Sequence, residues 1–185
     1  MRKLLVGLFA AGVVALSTTV PVFAANISDV SSTYWASKEI NNVVDNNVMT
    51  LTDGKFDPEG AVKRVDFVQA LLKLLTNDNL NVNIKNIFTD VKASDYYYDD
   101  VLRSQQLGLV YGYPNKTFQP KKMLSRAETQ SIVSHITKDM KADEALLNNY
   151  TDAKEVPAWA KTAYAKTLDY GIYVNYPNPN ELRPN

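Results

Sequence analysis

Apolar positions in this chain recur with helical spacing in short blocks separated by polar, turn-rich stretches. Trp35, Ile40, Val43, Val44 and Val48 form the first stripe, and Val65, Val68, Leu71, Leu72 and Leu75 form a second at spacings of three and four. The pattern predicts a helix that stops at Asn46-Asn47 and another over about 62–75. Tyr96, Tyr97, Tyr98, Val101, Leu102 and Leu107 mark a third helix. Ala127, Ile132, Val133 and Ile136 mark a fourth over about 126–138, and Trp159, Ala160, Ala163, Tyr164 and Leu168 supply the apolar side of a fifth.

Start and stop residues agree with these stripes. Ser31, Ser32 and Thr33 offer capping oxygens before the first helix, and Ser125 with Glu128 three residues on reads as a capping box. Pro157 suits a helix start, where no amide proton is needed. Thr52-Asp53-Gly54-Lys55 is a turn by composition. The Asn-rich stretch 76–86 and the stretch 139–149 lack periodicity and read as linkers.

The blocks repeat. Ile27-Ser28-Asp29, Phe88-Thr89-Asp90 and Tyr150-Thr151-Asp152 open three units whose aspartates lie 61 and 62 residues apart. Trp35, Tyr96 and Trp159 follow their aspartates by 6, 6 and 7 residues; Asn47, Gly108 and Gly171 close the first helix of each unit. Phe56-Asp57-Pro58, Phe118-Gln119-Pro120 and Leu182-Arg183-Pro184 match in turn. Then come Lys63-Arg64-Val65-Asp66 and Ser125-Arg126-Ala127-Glu128, with no counterpart before Asn185. A fixed period of this length marks tandem repeats. The expected layout is 25–75, 87–138 and 150–185, the last without its second helix.

These motifs resemble the S-layer homology family, above all Gly112-Tyr113-Pro114-Asn115-Lys116-Thr117-Phe118-Gln119-Pro120 leading into Ser125-Arg126-Ala127-Glu128. One helix pair cannot bury both its faces, so the units are expected to pack on one another in an all-α fold. The resemblance implies a pseudo-threefold helical bundle with binding grooves between units. It also implies non-covalent attachment to the cell envelope through an acidic or pyruvylated wall polysaccharide, or peptidoglycan.

Residues 1–24 have a basic start at Arg2 and Lys3, an apolar run from Leu4 to Leu16, and Val22-Phe23-Ala24 before Ala25. This is the pattern of a cleaved secretory signal, too short for a confident membrane span. Its removal takes two cations and no acidic residue from a chain of zero formal charge, leaving a net charge near −2. That balance argues against nucleic acid or an anionic membrane as partner. With no cysteine, neither a disulfide nor a lipid-anchored signal is available.

Arg64 and Arg126, each at a helix start, combine a bidentate donor fork with the free amides and dipole of a helix end, a combination suited to a carboxylate or phosphate. The resemblance assigns both to the acidic group of the glycan. The alternative is a salt bridge to Asp29 or Asp90. Glu128 and Asp66 share these helix starts, and Lys63 adds a cation to the first.

Trp35, Tyr96 and Trp159 suit either sugar stacking or core packing. Asp29, Asp90 and Asp152 suit helix capping or a place as hydroxyl acceptors in a groove. Gly112 would let the hinge approach a ligand. Leu51 and Asn175 stand in its place in the outer units, and Arg183 is not assigned the helix-start role. No cofactor, metal or catalytic residue is expected. The one histidine, His135, lies in an apolar stretch, Asp99-Asp100 point apart on a helix, and 53–57 falls short of a calcium loop. A surface assembly protein that self-associates or takes a protein partner is the alternative function, and a fragment of a longer anchored protein is another.

Overall fold

The computed structural model describes residues 27–75, 81–137, 141–172 and 178–185. The expected leader at 1–24, Tyr176 and Pro177 of the third hinge, and parts of both linkers lie outside them. The fold is all-α, as expected: α1 is Ser37–Asp45, α2 Arg64–Leu75, α3 Tyr98–Gln106, α4 Arg126–Ser134 and α5 Lys161–Asp169. Short 3-10 turns occupy His135–Thr137, Glu144–Asn149, Ala153–Glu155 and Ala158–Ala160.

The first helix of each unit ends in the same way. Asn47, Gly108 and Gly171 all have positive φ (55°, 70° and 64°). The amide after each reaches back to an orphan carbonyl: Val48 to Val43, Leu109 to Ser104 and Ile172 to Thr167, at 2.8, 2.8 and 2.9 Å. The left-handed residue turns the chain out of the helix while the helix's last acceptors stay paired.

A second device recurs at the opening of each unit. The amides of Ser28, Thr89 and Thr151 donate to the carbonyls of Gly54, Lys116 and Asn180, and their hydroxyls donate to the same oxygens. The following aspartate then accepts two consecutive amides of the hinge. Asp29 takes those of Phe56 and Asp57 (2.9 and 2.8 Å), Asp90 those of Phe118 and Gln119 (2.7 and 2.8 Å), and Asp152 those of Leu182 and Arg183 (2.7 and 2.6 Å). The second residue of each pair has positive φ (54°, 58° and 48°), and a proline follows. These aspartates are therefore hinge clamps rather than helix caps. Among the described residues neither Asp29 nor Asp90 forms a salt bridge with an arginine, the alternative role for Arg64 and Arg126; their carboxylates hold backbone amides instead.

Packing runs from unit to unit. α2 lies against α3, joining Val65, Val68, Leu71 and Leu72 to Phe88, Val91, Tyr97, Val101 and Phe118 in one core. α4 lies against α5, and Ala127 joins Leu147, Val156, Ala160, Tyr164 and Leu182 in a second. The second helix of one unit thus completes the core of the next. Phe118, Tyr164 and Leu182 are wholly buried.

Several expected positions shift. α2 starts at Arg64 rather than Val62, and Leu75 is exposed because the helix runs past the core that ends at Leu72. α4 stops at Ser134. The 3-10 turn that follows changes the period from 3.6 to 3 and buries Thr137 in place of Ile136, which is exposed. α3 begins at Tyr98, after Tyr96 and Tyr97, and α1 has no side-chain cap, since its N-cap is Ala36; Ser31 and Thr33, farther upstream, bond each other. The capping box of Ser125 and Glu128 forms as expected.

Candidate functional site

The start of α2 docks on the hinge of the second unit through its backbone. The amide of Arg64 donates to the carbonyl of Lys122 (2.8 Å), that of Val65 to Pro120 (3.1 Å), and that of Leu124 to Val62 (3.0 Å). The start of α4 does the same one unit on, with Ala127 donating to Pro184 at 3.0 Å. These bonds correct one expectation. At Arg64, Val65 and Ala127 the amides expected to be free for an anion are spent on the neighbouring hinge.

Docking places the Arg64 guanidinium against two rings, 5.0 Å from the centroid of Tyr113 and 5.1 Å from that of Phe118. Cation–π contact of this kind holds the group without using its hydrogen-bond donors. Arg64 is buried, and its Nε has no hydrogen-bond partner. Burial lowers its pKa from the ordinary arginine value, with Tyr113 and the Glu128 carboxylate pulling it partly back.

Beside it lies a network from the second unit. The Tyr113 hydroxyl donates to Glu128 Oε1 (2.7 Å). Lys122 Nζ donates to the same oxygen (2.5 Å) and to Tyr113 Oη (3.2 Å), and it lies 4.8 Å from the Tyr113 ring centroid. The backbone amide of Ser125 completes the set at Glu128 Oε2 (3.1 Å). Burial alone would raise the Glu128 pKa, but the hydrogen bonds from Lys122, Tyr113 and Ser125 outweigh it and hold the carboxyl below its ordinary value. The bond to Glu128 raises Lys122 against the opposing effect of burial, and burial with the Glu128 bond raises Tyr113. Two cations, Arg64 and Lys122, thus lie about the Tyr113–Glu128 pair with one carboxylate between them.

Lys122 also lines a cavity of about 500 Å³, together with Asp90, Lys92, Asp95, Tyr97 and Lys121. That is within the range of small-ligand sites.

Of the expected site residues, the structure brings Arg64 and Glu128 together, across a unit boundary and through Tyr113. Arg126 is half-buried at the first residue of α4, against the third hinge rather than the second. Asp66 is exposed on the first turn of α2. Gly112 has a φ of 76°. A Cβ there would lie 2.6 Å from a Phe88 ring carbon and 2.8 Å from the Thr117 carbonyl oxygen, so the protein's own packing requires the glycine. Trp35, Tyr96 and Trp159 are 45, 78 and 60% exposed, which removes core packing as their role. Arg183 occupies the clamp position of Asp57 and Gln119, in keeping with its not being a helix-start arginine.

Sequence reading missed Tyr113 and Lys122. Tyr113 stands inside the hinge motif, where it reads as a turn residue, and Lys122 belongs to an unremarkable Lys121-Lys122 pair. Only the arrival of α2 makes either part of a site.

The S-layer homology domain matches residues 26–68 and 87–129. The chain carries two tandem S-layer homology domains. It is 30% identical over 178 residues to the Surface-layer 125 kDa protein of Lysinibacillus sphaericus, covering 92% of this chain and 14% of that protein. To the Cellulosome-anchoring protein of Acetivibrio thermocellus it is 24% identical over 160 residues, covering 83% of this chain and 35% of the other. Exoglucanase XynX of the same species is 26% identical over 148 residues, or 78% and 13%. The chain therefore spans a small part of the length of these relatives. These S-layer homology repeats make it a cell-surface protein with an anchoring role at the cell wall. The matched family is an anchoring module rather than a catalytic one. Among the described residues, no helix is long and apolar enough to cross a membrane.

Proposed function

We propose that this S-layer homology protein anchors by binding an acidic wall glycan, a secondary wall polysaccharide or peptidoglycan, at the junction of its first and second units, without catalysing a reaction. The observation that carries the reading is the buried Arg64 guanidinium, held between Tyr113 and Phe118 with an unpartnered Nε and with Lys122 beside it. A buried cation without an ion pair is costly, and an incoming carboxylate or phosphate offsets that cost while accepting the fork of donors. The cavity beyond Lys122 gives room for the sugar that bears the acid. The exposed rings of Trp35, Tyr96 and Trp159 are available to stack on neighbouring sugars, and Arg126 is the corresponding arginine one unit on.

The unit bounds 25–75, 87–138 and 150–185, and a pseudo-threefold arrangement of the units, belong to the same proposal. They are supported by the recurrence of one docking mode, helix start onto the next hinge, at Val65 with Pro120 and at Ala127 with Pro184.

The test is co-sedimentation of the protein with purified sacculi, stripped or unstripped of secondary polymer, beside Arg64→Ala, Arg64→Lys and Arg126→Ala. The expected result is retention on unstripped walls, loss of at least about tenfold in affinity for Arg64→Ala, and partial rescue by lysine. Equal retention of wild type and the alanine variants would refute capture by these arginines.

A further inference from the structure

The third unit contains a cavity of different construction. The second linker, read from sequence as shapeless, forms the 3-10 helix Glu144–Asn149, opened by an Asp143 cap on the Ala145 amide (2.9 Å). Leu147 anchors it in the second core, and Glu144 Oε1 accepts from the Thr162 hydroxyl on α5 at 2.6 Å. Between this turn and α5 lies a space of about 410 Å³ lined by Glu144, Asn148, Tyr150, Thr151, Lys154 and Lys161. Neither lysine forms an ion pair among the described residues. The single carboxylate in the wall is already engaged by Thr162. Two lysines and one carboxylate thus line a hollow that also carries Leu147, Ala153 and one aromatic residue, Tyr150.

We infer that this cavity is a second binding site, for a sugar bearing an acidic group. The unpaired lysines meet the carboxylate or phosphate, Asn148 and Thr151 supply polar contacts for hydroxyl or acetamido groups, and the Tyr150 ring suits the C–H face of a pyranose. The volume fits one or two sugar residues. The site shares no residue with the Arg64 cluster and lies against the other core, at Leu147, Tyr150 and Ala153. The inference rests on the glycan-anchoring reading and adds to it a second grip on the same polymer. Two weak sites on one chain raise retention through effective concentration.

The experiment follows backbone amides by heteronuclear NMR while the whole chain is titrated to millimolar concentration with N-acetylmuramic acid, N-acetylglucosamine 1-phosphate and neutral N-acetylglucosamine. Expected are shifts at residues 144–161 with one or both acidic sugars, which also tells carboxylate from phosphate recognition, and binding of the neutral sugar at least about tenfold weaker. The double variant Lys154→Gln, Lys161→Gln removes that preference in the shifts at residues 144–161. Both lysines lie at or near the surface, so the double variant keeps the fold. Absent shifts, equal shifts with all three sugars, or an undiminished acid preference in the lysine variant would overturn the site. Should wild type sediment with sacculi yet show no such shifts, this inference fails alone. If the shifts persist without sedimentation, wall anchoring fails and the cavity stands as an acidic-sugar site.

Discussion

Asp90 is the residue whose replacement best probes how the hinge is held. Its two carboxylate oxygens accept the amides of Phe118 and Gln119 at 2.7 and 2.8 Å, across 28 and 29 residues of sequence. Alanine would leave both donors without their acceptor. A hydrogen bond to a charged group contributes about 1.5–3 kcal/mol, and Asp90 is half-buried, so water can replace part of each. The low end for two bonds is about 3 kcal/mol. For a domain of this size that corresponds to a fall of roughly 6–12 °C in Tm, at about 2–4 °C per kcal/mol.

Asparagine at the same place keeps one acceptor but turns an NH₂ toward the second amide, so Asp90→Asn should recover less than half of the loss. The assay is urea and thermal denaturation of wild type, Asp90→Ala and Asp90→Asn, with hydrogen exchange read at the Phe118 and Gln119 amides. Those two amides should exchange faster than their neighbours in α3. A loss below about 1 kcal/mol with both amides still protected would refute the clamp. The hinge would then be held by its buried Phe118 side chain and by its backbone bonds to Thr89, Arg64 and Val65.

Two further outcomes follow from packing and charge. Gly112→Ala places a methyl 2.6 Å from the Phe88 ring at a φ of 76°, so it should cost about 2–4 kcal/mol in urea denaturation; a loss under about 1 kcal/mol would show that Phe88 yields freely. Glu128 has a folded pKa below its ordinary 4.5 and Lys122 one above its ordinary 10.5. The Glu128 contribution is therefore complete above the unfolded value and is lost as pH falls through the folded one, while that of Lys122 is lost as pH rises past its own raised value. The stability gap between wild type and Glu128→Gln should thus shrink from pH 6 to pH 3, and a gap constant over that range would contradict the network.

Local chemistry made much of the fold legible. Helical stripes at three and four, the left-handed residue after each first helix, and the Ser125–Glu128 capping box all act within a few residues, so spacing alone reveals them. Errors appeared where a distant partner decided the outcome. Leu75 and Ile136 continue their stripes in sequence, yet one runs beyond the core and the other is rotated off it by a 3-10 turn. The exposed state of Trp35, Tyr96 and Trp159 is likewise invisible locally, since an aromatic at a helical register fits core and surface equally well.

The sequence by itself determined the repeat, its period, its helices and its family, because these are written in residues that act on their near neighbours or recur in fixed order. Tertiary structure alone decided which residues work together. Arg64 meets Tyr113 and Lys122 only because α2 docks on the hinge of the following unit through backbone bonds that any residue could make. Asp29, Asp90 and Asp152 became clamps rather than caps because their hinges return 27–31 residues later to offer two unpaired amides, a stronger demand than any at the nearby helix ends.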